Sequence, residues 1–282
     1  MGIKLSIIIP CYNAIGTLEK TLESVIAQDF QDWEAIIVND GSTDTTEEIA
    51  LRWVKKDERF KYYAKENEGL GKTRNYGIVR SSGLFILPLD SDNQLMKDFA
   101  QDAIAVFEKN CEIGVVYGDA ECFGEKKGLW KIEQYDLKKI LADNYIDACA
   151  IFRKKVWVEV GGYDEKMPYQ GNEDWEFWIA LGVLNVKFHH LNKITFKYFV
   201  SRNSMIRSFT DTMGQFNNDY IFEKYSKQYQ KYYKEVYLLH EKKERNYCEN
   251  LKSEKFVIDI FCTTFFRFSI FGLYKKNNIK KN

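Results

Sequence analysis

The sequence has no CxxC pair and no His/Cys grouping at metal-ligand spacing. Its six cysteines stand alone at positions 11, 111, 122, 149, 248 and 262, and its three histidines at 189, 190 and 240. These absences exclude a zinc module. A chain of 282 residues can bury enough surface to fold without a disulfide framework, so free thiols in a reducing compartment are expected. No basic leader precedes Lys4-Leu5-Ser6-Ile7-Ile8-Ile9, so no secretory signal is expected and a cytoplasmic location follows. GxxxxGK[ST] is missing, and no GxGxxG follows the first apolar run, which weakens P-loop and Rossmann oxidoreductase readings. There is no internal repeat and no low-complexity tract. Net charge is also absent, with 41 Lys and Arg against 41 Asp and Glu, but the charge is unevenly spread. Residues 223–282 carry 14 basic against 7 acidic side chains, a balance of +7 that leaves −7 on residues 1–222. An acidic body argues against nucleic-acid binding. A basic end is expected to meet something anionic, a membrane surface foremost.

What the chain does have is ordinary globular composition, 45% apolar and 29% charged, with an unusual 16% of aromatics. Short β-branched or aromatic runs at 5–9, 35–38, 60–64, 85–89 and 115–117 predict buried strands. Segments with helical spacing at 17–28, 43–54, 72–79 and 96–108 separate them, an alternation that predicts a mainly parallel α/β sheet flanked by helices. The second half is mixed: strands are expected at 148–152 and 195–200, and helices at 156–160 and 173–184. His189 and His190 read as part of a strand rather than as a metal site. Near residue 210 the pattern becomes polar and helical, then very apolar over 256–274, then basic. The expected division is a catalytic domain over 1–208 and a helical extension over 209–282, with a nucleotide-binding part of about 1–120 and an acceptor-side part of about 121–208.

Four constellations carry chemistry. Asp90-Ser91-Asp92 follows the apolar run 85–89, so two carboxylates stand at the C-terminal end of a buried strand, where open α/β sheets bind ligands. Such oxygen donors suit Mg²⁺ or Mn²⁺ shared with a diphosphate, although a solvated turn would look the same. Asn39-Asp40-Gly41-Ser42-Thr43-Asp44 follows another buried run, and Asp40 there can accept hydrogen bonds from a base or ribose; the competing reading is a capped βα turn. Asn67-Glu68-Gly69-Leu70-Gly71-Lys72-Thr73-Arg74 leads two glycines into a helix whose first turns are cationic, a ready diphosphate site. Glu173 and Asp174 open an apolar helix. They suit the helix dipole, and equally a general base that takes the proton of an acceptor hydroxyl.

Taken in order, Ile9-Pro10-Cys11-Tyr12-Asn13, Val38-Asn39-Asp40-Gly41-Ser42-Thr43-Asp44, the stretch 67–75, Asp90-Ser91-Asp92, Gly161-Gly162-Tyr163-Asp164 and Glu173-Asp174-Trp175-Glu176 resemble family 2 glycosyltransferases, inverting enzymes of GT-A fold. The resemblance runs from residue 5 to about 204. It implies that Pro10, Tyr12, Asn13 and Asp40 hold the nucleoside and that Gly71 and Arg74 lie near the diphosphate. Asp90 and Ser91 would lie close to ribose or metal, with Asp92 the direct ligand of Mn²⁺ or Mg²⁺ and Asp90 its companion. Asp174 would be the catalytic base, with Glu173 beside it. The donor implied is a nucleoside-diphosphate sugar, UDP first, and the acceptor a glycan or lipid-linked hydroxyl in surface polysaccharide assembly. Many members carry Tyr-Arg and then His near the strand after the base helix; here Phe199 and Ser201 stand at those places, leaving Arg202 as the candidate cation for the diphosphate. Two other readings compete: a nucleotidyltransferase acting on a sugar phosphate, and a nucleotide-sugar or glycan binding protein without turnover.

The apolar stretch 256–274 contains Asp259 and Arg267, which with Thr263 form one polar stripe on a helix. Charges at a bilayer centre cost roughly 2.5–3.5 kcal/mol each, so an interfacial amphipathic helix is expected rather than a span. Lys275, Lys276, Lys280 and Lys281 would meet anionic headgroups, making the protein peripheral at the inner membrane surface. The alternative is a helix packed on the catalytic domain or in a dimer.

Overall fold

A computed structural model describes residues 3–201 and 210–261. The first half alternates as expected: β1 (Leu5–Cys11), α1 (Leu18–Ile26), β2 (Trp33–Asp40), α2 (Thr46–Lys56), β3 (Phe60–Lys65), α3 (Leu70–Val79) and β4 (Phe85–Pro88). Next come β5 (Gln94–Leu95), α4 (Phe99–Lys109), β6 (Ile113–Gly124), β7 (Gly128–Trp130), α5 (Leu137–Ala142), β8 (Ile151–Arg153), α6 (Lys154–Val160), α7 (Glu173–Val183) and β9 (Lys187–Val200). The C-terminal region forms α8 (Asp211–Lys224), α9 (Ser226–Lys231), α10 (Tyr233–Leu251) and α11 (Glu254–Phe261).

These strands make one sheet in the order β3-β2-β1-β4-β8-β6-β9-β5, with β7 paired to β6. It is parallel from β3 to β4 and mixed beyond: β8 runs antiparallel to both β4 and β6, whereas β6 and β9 are parallel. Every residue of β1 and β2 is buried, which is why their middles, residues 7–9 and 35–38, read as apolar runs. Their pleat feeds two cores. Ile7, Ile9, Ala35 and Ile37 pack with α1, α2 and α4 on one face, and Ile8, Ile36 and Val38 pack with α3, α6 and α7 on the other. Helix α3 lies so close to the sheet that a Cβ on Gly77 would meet Ile8 Cγ2 at 2.6 Å, so only glycine fits there.

The structure adds to the sequence reading in the second half. The strand expected at 115–117 is twelve residues long, with register shifts against β9 around Asp119. The strand expected at 195–200 begins at Lys187 and takes in His189 and His190. His190 Nε2 lies 3.0 Å from Asp119 Oδ1, and Ile132 N–H donates to the same oxygen at 2.9 Å, so the buried acid is satisfied within the sheet. The C-terminal helices pack on the sheet-bearing body: Ile221, Tyr225 and Val236 join the second core. Lys224 bonds Glu176 Oε1 at 2.8 Å, and Tyr225 donates to the same carboxylate. Residues 202–209 and 262–282, including Arg202 and most of the apolar, basic tail, lie outside the described residues.

Candidate active site

The C-terminal ends of β1, β2 and β4 share one edge of the sheet, and the loops after them build one wall of a cleft. After β1, Tyr12 is 55% exposed and Asn13 turns the chain with φ 49°. Asn13 N–H donates to Ser42 Oγ at 3.0 Å, and Thr43 N–H donates to Asn13 Oδ1 at 2.8 Å, tying this loop to the one after β2. Pro10 is buried in β1 opposite Val38. Asp40 is buried and well occupied: Lys65 Nζ and Glu68 N–H donate to Oδ1 at 2.7 and 3.0 Å, and Gly69 N–H donates to Oδ2 at 3.0 Å. It therefore anchors the loop that carries Gly69. The N-terminus of α3 is capped by the Gln170 side chain, whose Oε1 accepts from Leu70 N–H at 3.0 Å. Gly71 packs beneath Glu173, whose Cγ would lie 3.1 Å from a Cβ at that position.

Asp90, Ser91 and Asp92 form the turn after β4. Asn93 holds that turn: its N–H donates to Asp90 O at 3.0 Å, and its Oδ1 accepts from Phe199 N–H of β9 at 3.0 Å. Arg74, only 2% exposed, rises from α3 and donates to Asp90 Oδ1 at 2.7 Å. Burial works against the Arg74 charge, but Asp90 and then Tyr163, Glu173 and Asp174 outweigh it and hold the guanidinium more firmly protonated than usual. Asp92 has no ion-pair partner among the described residues; burial and then Asp90 push its pKa up to about 7. A carboxylate pair short of positive charge fits a divalent cation. Among the described residues there is no cluster of three or more His, Cys, Asp or Glu side chains that could hold a metal ion.

The start of α7 carries the second pair of acids. Glu173 is 4% exposed, and its Oε2 accepts from Gly171 N–H at 2.9 Å; burial raises its pKa and Arg74 opposes that. Asp174 Oδ1 accepts from Trp175 N–H at 2.8 Å, and Asp174 Oδ2 accepts from Asn144 Nδ2 at 2.9 Å. Both acidic clusters lie within electrostatic reach of the same side chains. Arg74 bonds Asp90 while feeling Glu173 and Asp174, and the Tyr198 phenol on β9 is raised by burial and then by Asp147, Asp90, Asp92 and Asp174 together.

Two residues here were not singled out in the sequence: Asn144 and Asp147, from the loop between α5 and β8. Asp147 Oδ1 accepts from Cys149 N–H at 2.9 Å. Burial, then Asp90 and Asp174, push the Asp147 carboxyl up, with Arg74 opposing. The strand-end rule misses both residues because β8 is antiparallel to β4, so its N-terminal end lies at the edge where β4 ends.

This architecture has known counterparts. The profile described as Glycosyl transferase family 2 matches residues 6–161, more than half the chain. The chain belongs to glycosyl transferase family 2. S. aureus TarS superposes with TM-score 0.60 at 25% identity, over 70% of this chain and 37% of that one. TarS 1–349 in complex with UDP-GlcNAc superposes with TM-score 0.61 at 23% identity, over 71% and 60%. The fold of this family 2 chain is thus of the GT-A type. Among curated relatives, GlyA of Streptococcus pneumoniae is 29% identical over 74% of this chain. A Campylobacter jejuni protein named GalNAc(5)-diNAcBac-PP-undecaprenol beta-1,3-glucosyltransferase is 28% identical over 77% of this chain and 70% of its own length. The chain spans only 27% of a Rickettsia bellii glycosyltransferase and 32% of GlyA.

Proposed function

We propose that the protein transfers a sugar from a nucleoside-diphosphate donor, UDP first, to a hydroxyl of a glycan or lipid-linked acceptor, with inversion and with Mn²⁺ or Mg²⁺. The observation that carries this reading is that helix α3 links the two acidic clusters: Arg74 on it bonds Asp90, and Gly71 one turn earlier packs against Glu173, next to Asp174. Asp92 and Asp90 would hold the cation, which when bound neutralises charge on the departing diphosphate. Arg74 adds a fixed positive charge on the same side. Asp174 takes the acceptor proton as the acceptor oxygen bonds the anomeric carbon and the bond from that carbon to the diphosphate oxygen breaks. One displacement, without a covalent enzyme intermediate, inverts the centre. The UDP-GlcNAc bound to TarS supports a uridine donor, and the undecaprenol-linked substrate in the Campylobacter relative's name supports a lipid-linked acceptor.

The test is a hydrolysis screen of UDP-, GDP- and dTDP-sugars with Mn²⁺ or Mg²⁺, run beside Asp92→Ala. Wild-type protein should release a nucleoside diphosphate from one donor class. Asp92→Ala should weaken metal-dependent donor binding by at least about tenfold. Release of pyrophosphate from a nucleoside triphosphate would replace this reading with nucleotidyl transfer.

A peripheral membrane location at the cytoplasmic face has support from α11. Phe256 and Asp259, 2% and 0% exposed, are buried, whereas Val257 and Ile258 stand 44% and 41% exposed. The Phe256 ring meets Tyr247 of α10 edge-on at 6.2 Å between centroids. Part of the apolar surface of this helix therefore faces out beside exposed Lys252 and Lys255. No helix among the described residues is long and apolar enough to cross a membrane. Co-sedimentation with phosphatidylglycerol vesicles should fall several-fold in Val257→Asp/Ile258→Asp. Equal pelleting of that variant and wild type would remove the anchor.

A further inference from the structure

The end of α5 and the loop after it are fastened to the helix that carries the acids. Trp175 Nε1 donates to Ile140 O at 2.5 Å, and Trp178 Nε1 donates to Ile146 O at 3.2 Å; both indoles belong to α7. From the C-terminal helices, Tyr229 Oη donates to Leu141 O at 2.8 Å. Between these fastenings stands Asn144. Its Oδ1 accepts from Ile146 N–H at 3.1 Å, which leaves Nδ2 as the group facing Asp174 Oδ2 at 2.9 Å. The side chain that points at the carboxylate and the carboxylate itself thus ride on one pinned unit.

We propose that Asn144 is a positioning residue for Asp174, its amide fixing the carboxylate so that a lone pair faces the incoming acceptor hydroxyl. This rests on the reading of Asp174 as the base. Trp175 N–H occupies one oxygen and the Asn144 amide the other, so rotation about the Asp174 side chain would break a hydrogen bond. Groups whose charge is coupled to Asp174 include Arg74 on α3, Glu173 on its own helix, Asp147 on the Asn144 loop, Tyr163 after α6 and Tyr198 on β9. Two of these are acids and two are phenols. A neutral donor that favours the ionised form of the base, without drawing Asp92 or Asp90 away from a cation, is what such a neighbourhood requires.

The plain structural alternative is that Asn144 only closes the local turn through its bond with Ile146 N–H. Asn144→Asp separates the two roles. It is isosteric and keeps the acceptor for Ile146 N–H, but it sets a carboxylate against Asp174. Asn144→Asp, Asn144→Leu, Asp174→Asn and wild type are compared in two assays. The first is turnover of whichever donor in the UDP-, GDP- and dTDP-sugar panel the wild type consumes. The second needs no donor: titration of the Asp174 carboxyl carbon by NMR in ¹³C-aspartate-labelled protein, its resonance identified by loss in Asp174→Asn. Asn144→Asp should lose about tenfold in kcat near pH 7 with the donor KM within about twofold. Asn144→Leu should move the Asp174 titration midpoint up by about one unit, the size of one charge-assisted hydrogen bond. Wild-type kcat in Asn144→Asp, or an unmoved midpoint in Asn144→Leu, overturns the proposal. If Asp174→Asn is dead while Asn144→Asp is fully active, this inference alone fails; if Asp174→Asn turns over normally, the assignment of the base beneath it fails.

Discussion

Asp174→Asn is expected to cost about 10²- to 10⁴-fold in sugar transfer, the range a positioned general base supplies, while donor affinity stays within about twofold. The substitution keeps shape and the place at the start of α7, so the bond from Trp175 N–H at 2.8 Å can persist through the amide oxygen. What it removes is the capacity to accept a proton. An acceptor hydroxyl is a poor nucleophile near neutral pH, and Glu173 cannot substitute readily: it is 4% exposed, and its Oε2 is bonded to Gly171 N–H. Donor binding is read by calorimetry with UDP and Mn²⁺, and transfer by release of the nucleoside diphosphate. Normal transfer by the variant would reassign the base.

Arg74→Met should have the second large effect, on stability and donor affinity together. The guanidinium is 2% exposed and lies 2.7 Å from Asp90. No other ion pair to Asp90, Asp92 or Asp147 occurs among the described residues. Removing one partner of a buried pair costs ~3–5 kcal/mol; because the Asp90 side chain is 31% exposed, a loss of about 2–3 kcal/mol is expected here. The loss should depend on pH. Asp92, near 7, and Asp147 already have pKa values above the usual carboxylate range, so the folded protein binds more protons than the unfolded chain. Such groups weaken the fold progressively as pH rises from about 4 toward 7. Without Arg74 their repulsion grows. Urea midpoints should therefore separate wild type and variant widely at pH 7.5 and much less at pH 5. A deficit independent of pH would mean that Arg74 contributes packing rather than charge.

Much of this site is legible in the chain before it folds. Asp40, Asp90 and Asp92 could be placed because buried parallel strands read as apolar runs, and a polar residue directly after such a run must lie at the strand's C-terminal edge. Glu173 and Asp174 stood out because acids opening an apolar helix are visible by periodicity. The long strands β6 and β9 were harder. Gly118 and Asp119 break the apolar pattern of β6, yet the fold tolerates both. A Cβ at Gly118 would meet Thr195 Cγ2 at 2.3 Å, and Asp119 is paired with His190. Neither compensation is local, so neither is visible in a window of sequence.

By itself, then, the sequence determined the order of strands and helices in the first half, the acids at their ends and the kind of chemistry those acids suit, because each depends on neighbours a few residues away. Tertiary structure alone decided that β8 runs backwards between β4 and β6. That reversal brings Asn144 and Asp147, which precede a strand, to the edge where other strands end. Chain direction within a sheet is set by long-range pairing and by how connections cross the layers, and a short strand carries no mark of it in its own residues.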